Sequence, residues 1–291
     1  MPTQISRRHH FVPKLLLKPW LIERPEKQFN LWGYCWDGRR GTWACKRKGL
    51  DSFCHEPDLL SLNSHELRND AIENEFFGEI DTKGASARDA LMSNGPRGLD
   101  IDKRCDFARL LLSLEARWPV NVHRLRTEGR GYLANELDSD SEILRVMNEA
   151  GIAANPSEYV ETQLGWSLED RAVASIQELV DNPEVGKRLI NAHWAVKRIT
   201  QREGSLVLSD RPLIRIHGYN RPGATWVLPL DPYAAFIACN DPKNLTKLTK
   251  LSGQRFVKET NRSSVNQAER FVFCADQSHE DWVGKYLKPS S

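Results

Sequence analysis

From about residue 192 onward the hydrophobic period of this chain changes, and that change limits what it can fold into. Before it, apolar residues recur every three or four positions; after it, short apolar runs alternate with Gly, Pro, Asn and Asp. The first pattern belongs to amphipathic helices and the second to strands. A block of helices followed by a block of strands predicts an α+β fold, not an alternating parallel one.

Within the helical block, Ile72, Phe76, Ile80, Ala87 and Leu91 fall at helical spacing between Glu66 and about Met92, with Gly84 weakening the middle. Phe107, Leu111, Leu114 and Trp118 repeat the pattern. Pro119 disfavours helical geometry at the residue before it, so this helix is expected to end near Arg117. Further helices are expected around 141–150 and 157–164. Ser167 and Asp170 form a capping signature for a helix from Leu168 to about Asp181, striped by Leu168, Ala172, Ile176 and Leu179. The runs "AHWAVKRIT", "SLVLSD", "LIRIHG", "TWVLPL" and "AAFIAC" read as strands, followed by a helix over roughly 256–269 and a strand "RFVFCA". Ahead of all this, "FNLWGYCWDGRRGTWACK" reads as a hairpin turning at Asp37-Gly38 and Gly41, with Trp32, Tyr34, Trp36 and Trp43 on an aromatic face. The expected architecture is a single α+β domain over 1–291. In it a basic segment and hairpin (1–56) precede a central helical block (57–191). That block packs on an antiparallel or mixed sheet from the strand-rich part (192–291), which the hairpin joins.

A chain of 291 residues with 27% charged residues can bury a full core. No stretch of about 18 uncharged apolar residues is present, so no membrane span is expected. Pro13, Lys14, Lys18 and Pro19 interrupt the basic start and no small-residue cleavage site follows, which argues against a secretory signal. Six cysteines without a CxxC then read as reduced thiols in a cytoplasmic protein. The net charge of +2 hides an asymmetry. Residues 1–50 hold 11 Lys and Arg against 3 Asp and Glu, a net of +8, which leaves −6 for the rest. A basic end on an acidic body steers a polyanion toward that end, or merely balances the body's charge.

The stretch "RRHHFVPKLLLKPW" concentrates the chemistry. Either His9 or His10 can accept a proton near neutrality. Adjacent residues on a strand point to opposite faces, so one of the two is expected to face a site while the other packs or caps. "HHFVPKLLLKPW" resembles the opening signature of a bacterial family of unknown function whose members begin His-His-Phe/Tyr-Val-Pro. The resemblance extends along the chain through Ile72-Glu73, Arg117 before Pro119, "SDRP" at 209–212, Pro229-Leu230 and "AERFVF". Two departures stand out. Lys18 replaces a usual arginine and lacks its bidentate fork, and Arg211 replaces a common asparagine beside Asp210. The resemblance marks positions and supplies no reaction.

The marked positions have their own physical reading. Asp210 continues the face of Leu206 and Leu208 to a strand end, where it is either a site carboxylate or a turn former. Glu73 and Arg117 lie at the edges of helical stripes, where charges pair or snorkel. If His9 or His10, Glu73, Arg117 and Asp210 converge, the expected activity is phosphodiester hydrolysis, nuclease-like and directed at RNA or DNA. In one version a divalent metal sits on His10, Glu73 and Asp210. In the metal-free version a histidine takes the proton of an RNA 2′-hydroxyl while Arg117 stabilises the developing charge. Arg7, Arg8, Lys14 and Lys18 would contact phosphates. The alternative is a non-catalytic nucleic-acid-binding or protein-interaction protein that uses the same basic surface. Walker, GxGxxG, HExxH and GxSxG patterns are absent. Cys54-His55 has no partner pair at zinc spacing.

Overall fold

The computed structural model describes residues 7–23, 29–37, 42–63, 71–276, 279 and 282–284. The expected hairpin turn at 38–41 and the helix start at Glu66 lie outside them. The fold is α+β, and the chain divides into two compact units. Residues 1–9, 56–79 and 116–181 form the first; 10–55, 80–115 and 182–291 form the second.

The first unit is mostly helical. Trp118 is extended and Pro119 opens the helix Pro119–Arg124, because proline's fixed φ and missing N–H suit a first turn. The preceding helix, Ile101–Ala116, stops where that proline requires. Helices Arg130–Ser139, Ser141–Glu149 and Pro156–Thr162 follow. Asp140 caps the second of these, accepting from the N–H groups of Glu142 and Ile143. Ser167 caps Leu168–Ala174 by accepting from Asp170 N–H at 3.0 Å.

Two local irregularities shift the expected stripes by one residue. The segment Ala71–Phe77 is a π-turn, and its wider repeat buries Phe77 where straight α spacing selects Phe76. The helix expected over 168–181 breaks at Ser175, whose Oγ donates to the Ala172 carbonyl at 2.7 Å. After the break Val180 is buried, and Leu179, expected in the stripe, is 53% exposed.

Strand β1 (Arg8–His10) opens the sheet structure. It is followed by β2 (Ile22–Glu23), the long β3 (Phe29–Asp37), β4 (Thr42–Lys48) and β5 (His55–Pro57), which pairs with β1. In the second unit β6 (His193–Arg198), β7 (Leu208–Ser209), β8 (Ile214–Ile216), β9 (Thr225–Asp231), β10 (Ala234–Cys239) and β11 (Phe271–Cys274) complete two larger sheets. One runs β6-β10-β9-β8; the other runs β2-β3-β11-β7, with β4 pairing β3. The N-terminal hairpin therefore joins a strand from the chain's end: Cys35 faces Phe271 and Trp32 faces Cys274 across β3 and β11. Strand β4 is an edge among the described residues, and Lys46, Arg47 and Lys48 along it are exposed.

Strand β10 and all of β9 before Asp231 are buried, which explains their continuous apolar runs. Trp20 is fully buried and its indole N–H donates to Leu206 O at 3.2 Å, tying the early chain to the later sheets. Ser205 Oγ lies 2.8 Å from His279 Nε2. Lys197 Nζ donates to the carbonyls of Thr249 and Leu251, the C-terminal end of the helix Pro242–Lys250.

Gly84 has a packing reason. A Cβ there would lie 2.9 Å from Leu110 Cβ, so the helix Gly78–Asn94 approaches Ile101–Ala116 closely because the side chain is missing. Gly84→Ala is expected to destabilise the protein by about 1–3 kcal/mol through overpacking, although alanine is the better helix former by about 1 kcal/mol. A urea midpoint equal to or above wild type would refute this.

Candidate functional site

Strand β1 divides the histidine pair. His9 belongs to the first unit and is fully buried, with Nδ1 accepting the Leu60 N–H at 2.9 Å. That bond places its ring proton on Nε2. Arg7 holds Asp58 through its Nε and terminal nitrogen; Asp58 in turn donates its N–H to Arg7 O at 2.9 Å. His9 thus serves a structural hydrogen bond, as the packing member of the pair.

His10 belongs to the second unit and meets His55 there, the ring centroids 5.8 Å apart at 63°. Its position follows from the local sequence. Phe11 N–H donates to Cys54 O at 2.9 Å, which brings the two segments alongside. Pro13, extended, then starts the short helix Lys14–Leu17, placing Lys14 in its first turn. Lys14 forms an ion pair with Asp51. Burial pushes His10 down from 6.5 to about 4, with repulsion from Lys14 and His55 adding to the effect and Asp51 and Asp81 opposing it. The imidazole is therefore neutral at pH 7.

Cys54, next to His55, adopts a left-handed backbone at φ 51° and is buried. Burial raises its thiol well above the ordinary value, the Asp210 carboxylate raises it further and Arg270 opposes. The thiol is thereby kept protonated and unreactive.

Asp210 stands in the same unit, 3% exposed. Its Oδ1 accepts from Glu269 N–H at 3.0 Å, and its Oδ2 accepts from Arg270 and Phe271 at 2.6 and 3.2 Å. Its own N–H donates to Phe271 O. Burial raises the carboxyl from 3.8 to about 6, and the three N–H donors pull against that rise. Backbone groups orient Asp210, so it needs no neighbouring asparagine. Arg211 is exposed, and its carbonyl accepts from Ser209 Oγ at 2.7 Å and from the Gln267 amide. Lys18 is exposed, as is Arg8.

Glu73 and Arg117 belong to the first unit. Glu73 is half-buried on the π-turn, and Arg117, just past the end of Ile101–Ala116, is 1% exposed with its guanidinium 4.7 Å over the Phe77 ring. Among the described residues no group of three or more His, Cys, Asp or Glu side chains stands in a metal-holding arrangement. No described helix is long and apolar enough to cross a membrane.

Several polar residues escape sequence reading. His55 carries no motif; the meeting of Cys54-His55 with His10 is visible only once β1 and β5 pair. Arg126 donates to Leu59 O, Ser61 O and Glu169, while buried Asp170 accepts from Asn63 N–H at 2.6 Å. Together they hold residues 59–63 within the first unit. In the second unit Tyr219 donates to Glu115 at 2.7 Å and Arg215 pairs with the same carboxylate. No local spacing announces these long-range bonds.

A family model described as "Protein of unknown function (DUF4238)" matches residues 8–278, and the chain belongs to that family. No curated protein and no solved structure matches it significantly.

The Asp210 environment has a signed pH consequence. Its carboxyl holds a proton more tightly folded than unfolded, so its contribution to stability is largest below about pH 4 and falls as pH rises to about 6. The rise from 3.8 to about 6 corresponds to roughly 3 kcal/mol. Relative to Asp210→Asn, wild type is expected to lose stability over that interval and to show a level difference above it. Urea unfolding of both proteins in steps from pH 4 to 7 measures the difference; one independent of pH contradicts the assignment.

Proposed function

Because family membership brings no reaction with it, we propose from the residues themselves that the chain is a nuclease-like phosphodiester hydrolase acting on RNA by metal-free proton transfer. The observation that carries this reading is the meeting of His10 and His55, with their ring centroids 5.8 Å apart and Lys14 close enough to lower the His10 pKa. Two imidazoles at such a distance can serve the two ends of one displacement at phosphorus, one removing a proton while the other supplies one.

His10, neutral at pH 7, takes the proton of a 2′-hydroxyl. The 2′-oxygen attacks phosphorus, and the bond from phosphorus to the 5′-oxygen breaks. His55, in the role of the acid, gives a proton to that leaving oxygen, and the products are a 2′,3′-cyclic phosphate and a free 5′-hydroxyl. Lys14, positioned by Asp51, stabilises charge on the non-bridging oxygens as phosphorus becomes five-coordinate. The Asp210 clamp on residues 269–271 acts as positioning structure, since both its carboxylate oxygens are occupied by backbone donors. A depressed His10 pKa makes a weaker base, and it also keeps the base form populated in mild acid.

Purified protein incubated with a single-stranded RNA is expected to cleave it in the presence of a chelator and to leave a 2′-deoxy analogue intact. His10→Ala and His55→Ala are each expected to lower the rate by about 10²–10⁴-fold. The acid limb of the wild-type rate profile is expected near pH 4, not 6.5. Folded variants that cleave as fast as wild type, or a 2′-deoxy strand cut equally well, would end the proposal.

A further inference from the structure

The positive charge announced by the first fifty residues is partly neutralised in the fold: Arg7 is paired with Asp58 and Lys14 with Asp51. A second group of cations lies far along the chain, inside the portion whose net charge is negative. The helix Pro242–Lys250 and its successor Gly253–Gln267 are joined by Leu251 and Ser252 alone. Phe256 and Val257 of the second helix share one core cluster with Ile214, Val227, Ala235 and Ile237, and Leu245, Leu248 and Leu251 pack against the same cluster. The register aligns Ile214 with Val227 and Val227 with Ile237, so those sheet residues lie on one face. Both helices therefore pack against the same core cluster beside the β6-β10-β9-β8 sheet, and each turns its other face outward.

Those outward faces are basic. Lys243, Lys247 and Lys250 recur at steps of four and three, a single stripe on a helix, and all three are exposed. Lys258 and Arg262, four apart on the second helix, are exposed as well. Residues 242–267 contain six Lys and Arg and a single acid, Glu259, which is held by Arg255 at 2.8 Å. The acids at the margin are engaged by backbone. Asp241 caps the first helix through the Lys243 N–H, and Glu203 accepts from Gly253 and Thr200 N–H groups. Five cations consequently stand on the layer without an acidic partner among the described ion pairs. The exposed residues between them, such as Thr246, Gln254 and Asn266, are uncharged and polar. No large exposed hydrophobic side chain lies on either helix.

We propose that this two-helix layer is a binding surface for the phosphate backbone of a nucleic acid, contacted without regard to sequence. Lysine ammonium groups are point charges that neutralise phosphates and release counterions, and they carry no base readout. Insertion into a lipid surface draws on apolar side chains at the headgroup boundary, and no large exposed hydrophobic side chain lies on either helix. The surface is separate from the His10–His55 pair and does not depend on cleavage. It would bring a substrate to the protein if the hydrolase reading holds and would serve a binding protein if that reading fails.

The test uses the full chain carrying His10→Ala, so that cleavage cannot confuse binding. Its affinity for a fluorescent single-stranded RNA of about twenty nucleotides is measured by anisotropy between about 50 and 200 mM salt. The combined variant Lys243→Gln, Lys247→Gln, Lys250→Gln is expected to weaken binding at least tenfold at the low-salt end. It should also reduce the slope of log K against log salt by about 2. Adding Lys258→Gln and Arg262→Gln should reduce both further, while the corresponding Lys→Arg variants retain both. Arg7→Gln with Arg8→Gln should change the slope less than the Lys243 set does. Circular dichroism and the thermal midpoint establish that each variant is folded, which these exposed positions favour. An unchanged affinity and slope in the folded glutamine variants would overturn the proposal. So would wild-type binding to phosphatidylserine-containing vesicles with none to RNA.

Discussion

The second unit depends on one buried carboxylate. Asp210 receives three consecutive backbone N–H groups, from Glu269, Arg270 and Phe271, and returns its own N–H to the Phe271 carbonyl. These bonds fix the point at which the chain leaves its last long helix and enters β11. That strand in turn pairs with β7 on one side and with the N-terminal hairpin on the other. A carboxylate bonded to charge-neutral donors in a buried setting is strongly held when those donors converge, and losing it would leave three N–H groups without acceptors at once. Early and late chain are joined through this corner, and Trp20 with its bond to Leu206 O adds a second fastening.

The histidine pair obeys a simple alternation. Neighbouring strand residues face opposite ways, and here the consequence is a division of labour between two units. His9 satisfies a backbone donor in one unit, and His10 meets a second imidazole in the other. Their different environments, and not their shared sequence motif, set what each ring can do. Burial keeps His10 uncharged, while the Leu60 bond determines where the His9 ring proton sits.

Much of the fold was legible because period and capping are local signals. The change of hydrophobic period at about 192, the stop before Pro119 and the Ser167 cap all appear where the residues predict them. The hairpin was expected to join the later sheet, and it pairs there with β11. Where the reading slipped, it slipped by a single position and for a definite cause. The wide turn at 71–77 moved burial from Phe76 to Phe77, and the Ser175 hydroxyl, competing for a helix carbonyl, moved it from Leu179 to Val180. No periodicity argument anticipates either. The candidate site was legible at His10, while His55, noticed only within a Cys-His pair lacking a zinc-spaced partner, could not be placed beside it, because a pairing between segments forty-five residues apart has no local signature. The basic layer was hidden by averaging: six cations in residues 242–267 disappear into a portion of the chain whose total is negative.

The exposed Lys46, Arg47 and Lys48 of β4 have a consequence for how the protein behaves among its own copies. An edge strand offers a row of open amide and carbonyl groups to any other extended chain, and a flat apolar edge of this length would recruit one. Three consecutive positive side chains place like charge opposite like charge whenever two such edges approach. The hairpin is thereby protected against growing into a continuous intermolecular ribbon, even in a crowded solution.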